Sequence, residues 1–300
     1  MRCAVIGIVG RTNSGKSTLL NKILGEKVSI VSPVEQTTRN TIRGMFTEER
    51  GQLVFLDTPG LHKAEGKLGT LMNKMARQAA SATDIALVVF DGSQPPKIED
   101  DGWMRRVLFE EGKPVIFALN KSDAAGFDPA PYRKLWQDIQ VEKEHEKPAD
   151  WFVISAQCGD NTDKLVSRLF ELALPCEEYL FDEETVTDFP RKLAIGDIIR
   201  EKFIHKLYQE VPHELGVRVD TIVENGRLWQ IDATVFVNRS AQKGMAIGDK
   251  GRTLRYVKRE AEKDIAEQYE CEPTVNMWIK VEPNWMTNFF LLKQLGYVVQ

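Results

Sequence analysis

Residues 10–17 read Gly-Arg-Thr-Asn-Ser-Gly-Lys-Ser, a spacing of glycine, lysine and serine that could hold a phosphate group. Glycines let backbone N–H groups turn inward around phosphates, Lys16 would neutralise the β and γ oxygens, and the Ser17 hydroxyl would bind Mg²⁺. A chance glycine-rich turn is the alternative, but a strand pattern precedes the segment and a helical pattern follows it. We call it the phosphate loop and predict nucleotide contacts from Gly10, Arg11, Thr12, Asn13, Ser14, Gly15, Lys16, Ser17 and Thr18.

A second motif, Asn120-Lys121-Ser122-Asp123, could select the base and is called the guanine loop below. The Asp123 carboxylate can accept hydrogen bonds from the guanine N1–H and 2-amino groups, whereas adenine has an acceptor at N1 and no 2-amino group. A site left with an unpaired carboxylate would reject ATP. Lys121 would stack its stem on the base, and Asn120 would tie this loop to the phosphate loop. Taken by itself, the tetrapeptide could be an ordinary turn.

Two further segments complete the predicted site. In Asp57-Thr58-Pro59-Gly60, Asp57 can hold Mg²⁺ through water and the Gly60 amide can bond the γ-phosphate. The dipeptide Ser155-Ala156 would contact the guanine oxygen through its backbone, although it is weak evidence alone. Together the motifs predict GTP as substrate, GDP as product and Mg²⁺ as cofactor, with nucleotide contacts from Asp57, Thr58, Pro59, Gly60, Asn120, Lys121, Asp123, Ser155 and Ala156.

These motifs follow short apolar runs that alternate with helical patterns, the rhythm of a doubly wound α/β sheet. The runs are Cys3–Val9, Leu53–Leu56, Ile85–Phe90, Val115–Leu119 and Trp151–Ile154, with an extra strand at Thr41–Thr47. We predict a domain over residues 1–175 that ends in a helix, Asp163–Leu174, and an acidic linker over residues 176–190. Residues 191–300 then predict a smaller α+β domain with a helix, two strands, a further helix after Gly248, a strand and a last helix.

Bulk composition is that of a soluble globular protein, with 42% hydrophobic residues, 28% charged residues and a net charge of −4. The apolar runs are too short to cross a bilayer and the N-terminus lacks a signal-peptide layout, so we expect a cytoplasmic protein. The four scattered cysteines predict reduced thiols. Net acidity disfavours general polyanion binding, yet Arg239–Lys263 has 8 basic residues against 3 acidic ones.

That basic segment contains a glycine turn, Gly248-Asp249-Lys250-Gly251-Arg252, at the start of a helical pattern. A G-x-x-G turn lets a nucleic-acid backbone approach closely, with the helix N-terminus, Lys250 and Arg252 meeting phosphate. We therefore predict RNA binding by Gly248, Asp249, Lys250, Gly251 and Arg252. A simple turn is the alternative, and Asp249 places an acid that could weaken phosphate contacts. The nearby Lys258-Arg259 fits either RNA contact or a solvated helix face.

The first 175 residues resemble the translation-factor-related GTPase superfamily on the motifs above. The resemblance places Gln36-Thr37-Thr38-Arg39 in the first switch, with Thr38 favoured over Thr37 as a ligand of Mg²⁺. The implied Mg²⁺ ligands are Ser17, Thr38 and Asp57, and the catalytic set is Lys16, Thr38, Asp57 and Gly60. Leu61 replaces the glutamine that orients water in Ras-like proteins, which predicts slow intrinsic hydrolysis. Asn13 matches an asparagine that helps bind K⁺ in such relatives; bracing the loop is its alternative role.

The helix–strand–strand–turn–helix–strand order after residue 190 is that of a type II KH domain. With Ile198–Lys202, Glu210–Glu214 and Leu295–Tyr297, nearly the whole chain resembles the Era family of bacterial GTPases. The implied fold is an α/β P-loop GTPase domain with a mostly parallel doubly wound sheet, followed by the KH domain. The resemblance also implies a monomer that binds the 3′ end of small-subunit (16S) ribosomal RNA and acts in 30S assembly. Peripheral association with the inner face of the cell membrane is implied as well, although no amphipathic anchor stands out.

Three alternatives can be named, and the sequence disfavours two of them. A related GTPase of tRNA modification would place other domains around the GTPase half, and a tandem ribosome-assembly GTPase would have a second phosphate loop, which this sequence lacks. The third alternative is a nucleotide-stabilised RNA-binding scaffold with negligible turnover, which Leu61 favours. Phosphate release with and without RNA separates an enzyme from a scaffold.

Overall fold

The computed structural model describes residues 1–32, 37–60, 66–207 and 214–297. The chain divides into two compact units. The first lies within residues 1–188, and the second consists of residues 189–300 together with residues 30–37 and 65–71.

The first unit is built on a seven-stranded sheet with the order β2-β3-β1-β4-β5-β6, and β7 pairs with β1. Strands β2 and β7 are antiparallel to their neighbours, and the other pairs are parallel. The predicted α/β sheet is therefore confirmed. The strands are β1 (Arg2–Val9), β2 (Ile42–Glu48), β3 (Gly51–Asp57), β4 (Ile85–Asp91), β5 (Val115–Asn120), β6 (Asp150–Val153) and β7 (Leu174–Pro175).

Helices alternate with these strands along the chain. They are α1 (Lys16–Leu24), α2 (Gly66–Ser81), α3 (Ile98–Leu108), α4 (Ala130–Lys143) and α5 (Thr162–Leu172). Helix α5 ends two residues before the predicted Leu174, because Leu174 and Pro175 pair with β1 instead.

Burial on both faces of the central strands explains their continuous apolar sequences. Every residue of β4 and β5 is buried. The Phe117 ring of β5 lies 4.9 Å from Trp136 and 4.7 Å from Trp151, both edge-on. Because β1, β3, β4 and β5 run parallel, their carboxyl ends meet at one edge of the sheet, where ligands of such folds bind.

Residues 176–188, which the sequence predicts as a linker, pack along the outer side of β2 and β3 in the first unit. Gln52 exchanges two hydrogen bonds with the backbone of Phe181, at 2.9 and 3.0 Å. The Met45 amide donates to the Val186 carbonyl at 2.8 Å. An edge strand leaves unpaired backbone groups, and this segment satisfies some of them.

A disulfide joins Cys3 in β1 to Cys176 at the start of that segment, with the Cα atoms 5.8 Å apart. The expectation that all cysteines are reduced is therefore wrong for this pair. Sequence spacing conceals the pairing because 173 residues separate the two cysteines, which only the β1–β7 pairing brings together.

The second unit has a three-stranded sheet with the order β10-β9-β8, parallel between β10 and β9 and antiparallel between β9 and β8. Helices cover one face and share a core with it, including Ile199, Phe203, Val235, Val257 and Ile265. This is the predicted smaller α+β domain. Its elements are α6 (Arg191–Lys206), β8 (Gly216–Asn225), β9 (Leu228–Val237), α7 (Ser240–Ile247), α8 (Arg252–Tyr269), β10 (Glu272–Val281) and α9 (Phe289–Gln294).

Helix α7 is absent from the sequence prediction, since Ser240–Ile247 contains only eight residues and a glycine at position 244. In either unit, no helix of the described residues is long and apolar enough to cross a membrane.

Candidate functional site

Two glycines give the phosphate loop its shape between β1 and α1. Gly10 has φ 149°, and a Cβ there would lie 2.3 Å from the Val89 carbonyl oxygen. Gly15 has φ 97°, and a Cβ there would lie 2.1 Å from Nδ2 of Asn120. Only glycine fits such approaches without displacing the backbone or the guanine loop.

Lys16 begins α1, and its buried Nζ donates a hydrogen bond to the Arg11 carbonyl at 2.8 Å. Burial lowers the pKa of Lys16 to about 8, although the nearby Asp57 acts in the opposite direction. A partly desolvated ammonium at a helix N-terminus suits an anionic partner such as a phosphate.

Three oxygen ligands predicted for Mg²⁺ meet beside Lys16. The Ser17 hydroxyl donates to Oδ2 of Asp57 at 2.7 Å and lies 2.9 Å from Oγ1 of Thr38. The other carboxylate oxygen of Asp57 is buried and has no hydrogen-bond partner among the described residues. Burial raises the pKa of this carboxyl group, so a cation beside it would relieve the cost of its charge. Hydroxyl and carboxylate oxygens are the donor set that Mg²⁺ prefers.

Ser29 also belongs to this cluster, because its hydroxyl donates to Oδ2 of Asp57 at 2.9 Å. The sequence prediction missed Ser29, which stands in no recognisable motif. Its position follows from Asn21 of α1, whose side chain bonds the backbone of Val28 and Ser29 at 2.7–3.0 Å. The buried hydroxyl therefore braces the carboxylate.

The segment after β3 lies against the phosphate loop. The Thr58 hydroxyl donates to the Ile8 carbonyl at 3.0 Å, and a Cβ on Gly60 would lie 2.6 Å from the Thr12 nitrogen. This close backbone approach places Gly60 where its amide can meet a terminal phosphate held by the loop. Leu61 and Gln36, named above, lie outside the described residues.

Asn120 links the guanine loop to its neighbours, as the sequence predicts. Its Nδ2 donates to the Ser14 carbonyl at 2.9 Å, and its Oδ1 accepts from the Ala156 amide at 2.9 Å. Ser155 is held in turn, since its hydroxyl accepts from the Cys158 amide at 3.0 Å. Asp123 lies at the exposed rim, where its carboxylate can receive a base.

The side chain of Arg11 contacts two acidic residues of the first unit. It is buried and forms ion pairs with Asp91 at 3.4 Å and Asp100 at 3.2 Å. Lys121 of the guanine loop also contacts Asp91, at 2.7 Å. The sequence prediction groups Arg11 and Lys121 with the nucleotide contacts but misses both carboxylates, since neither stands in a motif.

In the second unit, the predicted RNA turn joins α7 to α8. Gly248 has φ 73°, and a Cβ there would lie 2.3 Å from the Thr253 hydroxyl oxygen. Gly251 has φ 74°, and the exposed Lys250 between them has φ 48°. The turn therefore exposes a cationic side chain at the N-terminus of an 18-residue helix, where backbone amides favour anions.

Nearby charges on α8 pair with one another. Asp249 lies 3.5 Å from Arg252, and both side chains are largely exposed. Lys258 pairs with Glu262 at 3.6 Å, and Arg259 with Glu260 at 2.7 Å. Exposed ion pairs of this kind are weak, so both alternatives for Lys258 and Arg259 stay predictions.

The fold and the two sites define a P-loop GTPase domain followed by a KH domain. Two family models agree: one described as a 50S ribosome-binding GTPase matches residues 5–121, and a KH domain model matches residues 210–286.

The chain belongs to the GTPase Era family. It is 37% identical to GTPase Era of Rippkaea orientalis over 98% of this chain and 92% of the relative. It is also 38% identical to GTPase Era of Lacticaseibacillus paracasei, over 97% of this chain and 95% of that relative.

Solved structures of Era match the full length. One is Era in complex with MgGDPNP and nucleotides 1506–1542 of 16S ribosomal RNA, at 31% identity and a TM-score of 0.91 over 100% of both chains. Another is an Aquifex aeolicus Era variant bound to GDP.AlF4−, with the same identity, TM-score and coverage. The resemblance predicted from the motifs is therefore confirmed.

Proposed function

We propose that this protein binds GTP, hydrolyses it to GDP and phosphate, and uses the two nucleotide states to control RNA binding. The observation that carries the nucleotide part is the bridge made by Asn120. Its side chain bonds both Ser14 of the phosphate loop and Ala156, which supports a single site for the groups predicted to hold phosphate and base. A preformed site avoids ordering two loops when ligand binds.

Guanine recognition is assigned to Asp123, with Lys121 over the base and the backbone of Ser155-Ala156 beside the guanine oxygen. The exposed position of Asp123 leaves its carboxylate open to N1–H and the 2-amino group. ATP would offer that carboxylate no matching pair of donors, so we expect strong preference for GTP.

Ser17, Thr38 and Asp57 would hold Mg²⁺, which supplies positive charge to the β- and γ-phosphate oxygens when bound. The unpaired buried oxygen of Asp57 supports this assignment. Lys16 would neutralise the same oxygens and the Gly60 amide would bond the γ-phosphate, so loss of that phosphate would release the first switch and the Asp57–Gly60 segment.

K⁺ is a further proposed cofactor, with Asn13 as its ligand. Asn13 is exposed in the phosphate loop and has a left-handed backbone conformation, with φ 59°. Since Leu61 cannot orient water, a second cation at this place would supply missing charge to the transition state.

The RNA partner that we propose is the 3′ end of small-subunit ribosomal RNA, within assembly of the 30S subunit. The support is the Gly248–Gly251 turn, its exposed Lys250 and the full-length match to Era bound to 16S ribosomal RNA. We propose that the protein is a monomer that acts in the cytoplasm. Peripheral membrane association stays a prediction from the family resemblance.

The test is steady-state phosphate release from GTP and ATP, with and without a single-stranded RNA of the small-subunit 3′ end. We expect phosphate release from GTP that depends on Mg²⁺, and no release from ATP. RNA should change the rate of phosphate release from GTP. A protein that binds GTP and RNA tightly but releases no phosphate would instead be a nucleotide-stabilised RNA-binding scaffold with negligible turnover. Equal rates in Na⁺ and K⁺ buffers would remove K⁺ from the mechanism while leaving the rest intact.

A further inference from the structure

Asp91 ends strand β4, with a residual exposure of only 2%. It lies at the carboxyl edge of the sheet, between the strand that leads into the phosphate loop and the strand that leads into the guanine loop. No motif contains it, and none of the roles assigned above uses it.

A single oxygen of Asp91 contacts cations from both loops. Oδ2 accepts a hydrogen bond from Lys121 Nζ at 2.7 Å and lies 3.4 Å from a guanidinium nitrogen of Arg11. Lys121 belongs to the guanine loop and Arg11 to the phosphate loop. The position of each loop is therefore tied to the same carboxylate.

The carboxylate itself is held in place by its own surroundings. Its other oxygen accepts from the amide and the hydroxyl of Ser93, at 3.2 and 2.5 Å, and the Tyr132 hydroxyl donates to the Asp91 carbonyl at 2.9 Å. Burial acts against ionisation, but the hydrogen bonds from Lys121 and Ser93 hold the pKa of Asp91 below its usual value. The group is thus an ionised, fixed anchor.

Asp100 supplies a natural comparison. It is also buried and pairs with Arg11, at 3.2 Å, and its carboxylate accepts from the Lys97 amide at 2.9 Å. Within the described residues, Asp100 makes no contact to the guanine loop. Removing the carboxylate of Asp100 thus breaks its ion pair with Arg11 and no contact to the guanine loop, whereas removing that of Asp91 breaks contacts to both Arg11 and Lys121.

We infer that Asp91 is a positioning residue that fixes the phosphate loop and the guanine loop relative to each other before the nucleotide binds. This inference rests on the proposed GTP binding. Within the described part of the chain, Asp91 contacts neither Lys16 and Gly60, predicted at the γ-phosphate, nor the predicted Mg²⁺ ligands. The affinities for GTP and GDP should therefore depend on Asp91 equally. A charge-assisted hydrogen bond is worth about 1.5–3 kcal/mol, or about 10- to 140-fold in affinity.

The experiment measures dissociation constants of fluorescent GTP and GDP analogues for the full chain and for Asp91→Asn, Asp100→Asn and Lys121→Met. We expect Asp91→Asn to weaken both nucleotides by the same factor, at least about tenfold. In steady state KM for GTP should rise by that factor while kcat at saturating GTP changes by less than about twofold.

Double-mutant cycles separate positioning from general destabilisation. Once Lys121→Met has removed the shared contact, adding Asp91→Asn should cost clearly less than it does in the wild type. Adding Asp100→Asn should cost the same in both backgrounds. Full additivity for both pairs, or unchanged nucleotide affinity in Asp91→Asn, would overturn the inference.

Two results distinguish this inference from the proposed function. If the wild-type chain binds no GTP, the proposed function fails; if the wild type binds and Asp91→Asn binds equally well, only the inference fails. Should Asp91→Asn not fold, as judged by its unfolding transition, Lys121→Arg replaces it. Arginine keeps the ion pair, so this variant should bind GDP more tightly than Lys121→Met, and equal affinities of the two would refute the role of Asp91.

Discussion

Asn120 and Ser14, 106 residues apart in the sequence, are joined by a hydrogen bond of 2.9 Å from the asparagine Nδ2 to the serine carbonyl. The same side chain accepts from the Ala156 amide at 2.9 Å. One asparagine therefore satisfies two buried backbone groups from separate loops. From its position at the end of β5, Asn120 links the phosphate loop to the segment that contains Ala156.

Replacing Asn120 with alanine should weaken GTP and GDP binding by about 30- to 100-fold, because two buried hydrogen bonds of about 1 kcal/mol or more each are lost. Titration calorimetry measures the affinities. A matched control is Asn276→Ala, which removes a hydrogen bond to Asp232 in the second unit and should leave nucleotide affinity unchanged. Comparable losses of nucleotide affinity in both variants would show that the effect is not specific to the hydrogen bonds of Asn120.

The role of Asp123 predicts a change of base preference. In Asp123→Asn the side chain can accept from N1–H and donate to a carbonyl oxygen at C2, which matches xanthine rather than guanine. We expect GTP affinity to fall by at least about 100-fold and XTP affinity to exceed it, since a mismatched polar contact leaves groups unpaired. Competition between the two nucleotides measures this exchange, and a variant that still prefers GTP would remove Asp123 from base recognition.

The Mg²⁺ assignment predicts a change in metal dependence. Ser17→Ala removes a hydroxyl that lies beside both Asp57 and Thr38. GTP affinity of the wild type should fall when EDTA removes Mg²⁺, whereas the variant should bind weakly and nearly equally in both conditions. Its phosphate release should fall by at least about 100-fold, an expected loss when a group that stabilises transition-state charge is removed. An unaltered Mg²⁺ dependence would exclude Ser17 as a ligand.

The motifs of the proposed nucleotide site are recognisable in the sequence because they are local: the residues of each loop are contiguous, and parallel strands bring their ends together. Contacts set by tertiary packing leave no such pattern. Ser29 supports Asp57 from 28 residues away, and Asp91 joins Arg11 and Lys121 from an otherwise ordinary strand end. Those residues become recognisable only when the fold is known.

Chain organisation shows the same limit. Acidic composition and flanking prolines predict a linker at residues 176–190, yet the Phe181 amide donates a hydrogen bond to Gln52, 129 residues away in the sequence. No local propensity encodes such a contact. The short helix α7 is missed for a related reason, since eight residues with an internal glycine form a weak helix without tertiary packing.

The disulfide between Cys3 and Cys176 predicts that stability depends on redox conditions. Cross-linking residues far apart in sequence restricts the unfolded chain, and the typical gain is about 2–4 kcal/mol. Without reductant, Cys176→Ser should therefore unfold at lower urea concentration than the wild type. With dithiothreitol the two proteins should unfold alike. Wild-type curves that coincide with and without reductant would show that the bond does not form in solution.

Asp249 lies inside the G-x-x-G turn and pairs with Arg252 at 3.5 Å, so it both adds negative charge near the predicted RNA backbone and occupies a cation. Asp249→Asn keeps the size of the side chain and removes both effects. Exposed charge interactions are worth about 0.2–1 kcal/mol, so RNA affinity should rise by about two- to fivefold at low salt. Fluorescence polarisation with a small-subunit 3′-end oligonucleotide measures the change.

Lys250→Ala should have the opposite effect on RNA affinity and should reduce the salt dependence of RNA binding, because it removes one predicted phosphate contact. GTP affinity should be unaltered in both variants. Weaker RNA binding in Asp249→Asn would mean that the carboxylate contacts the RNA directly, as an acceptor for a base, and would reverse the interpretation of this residue.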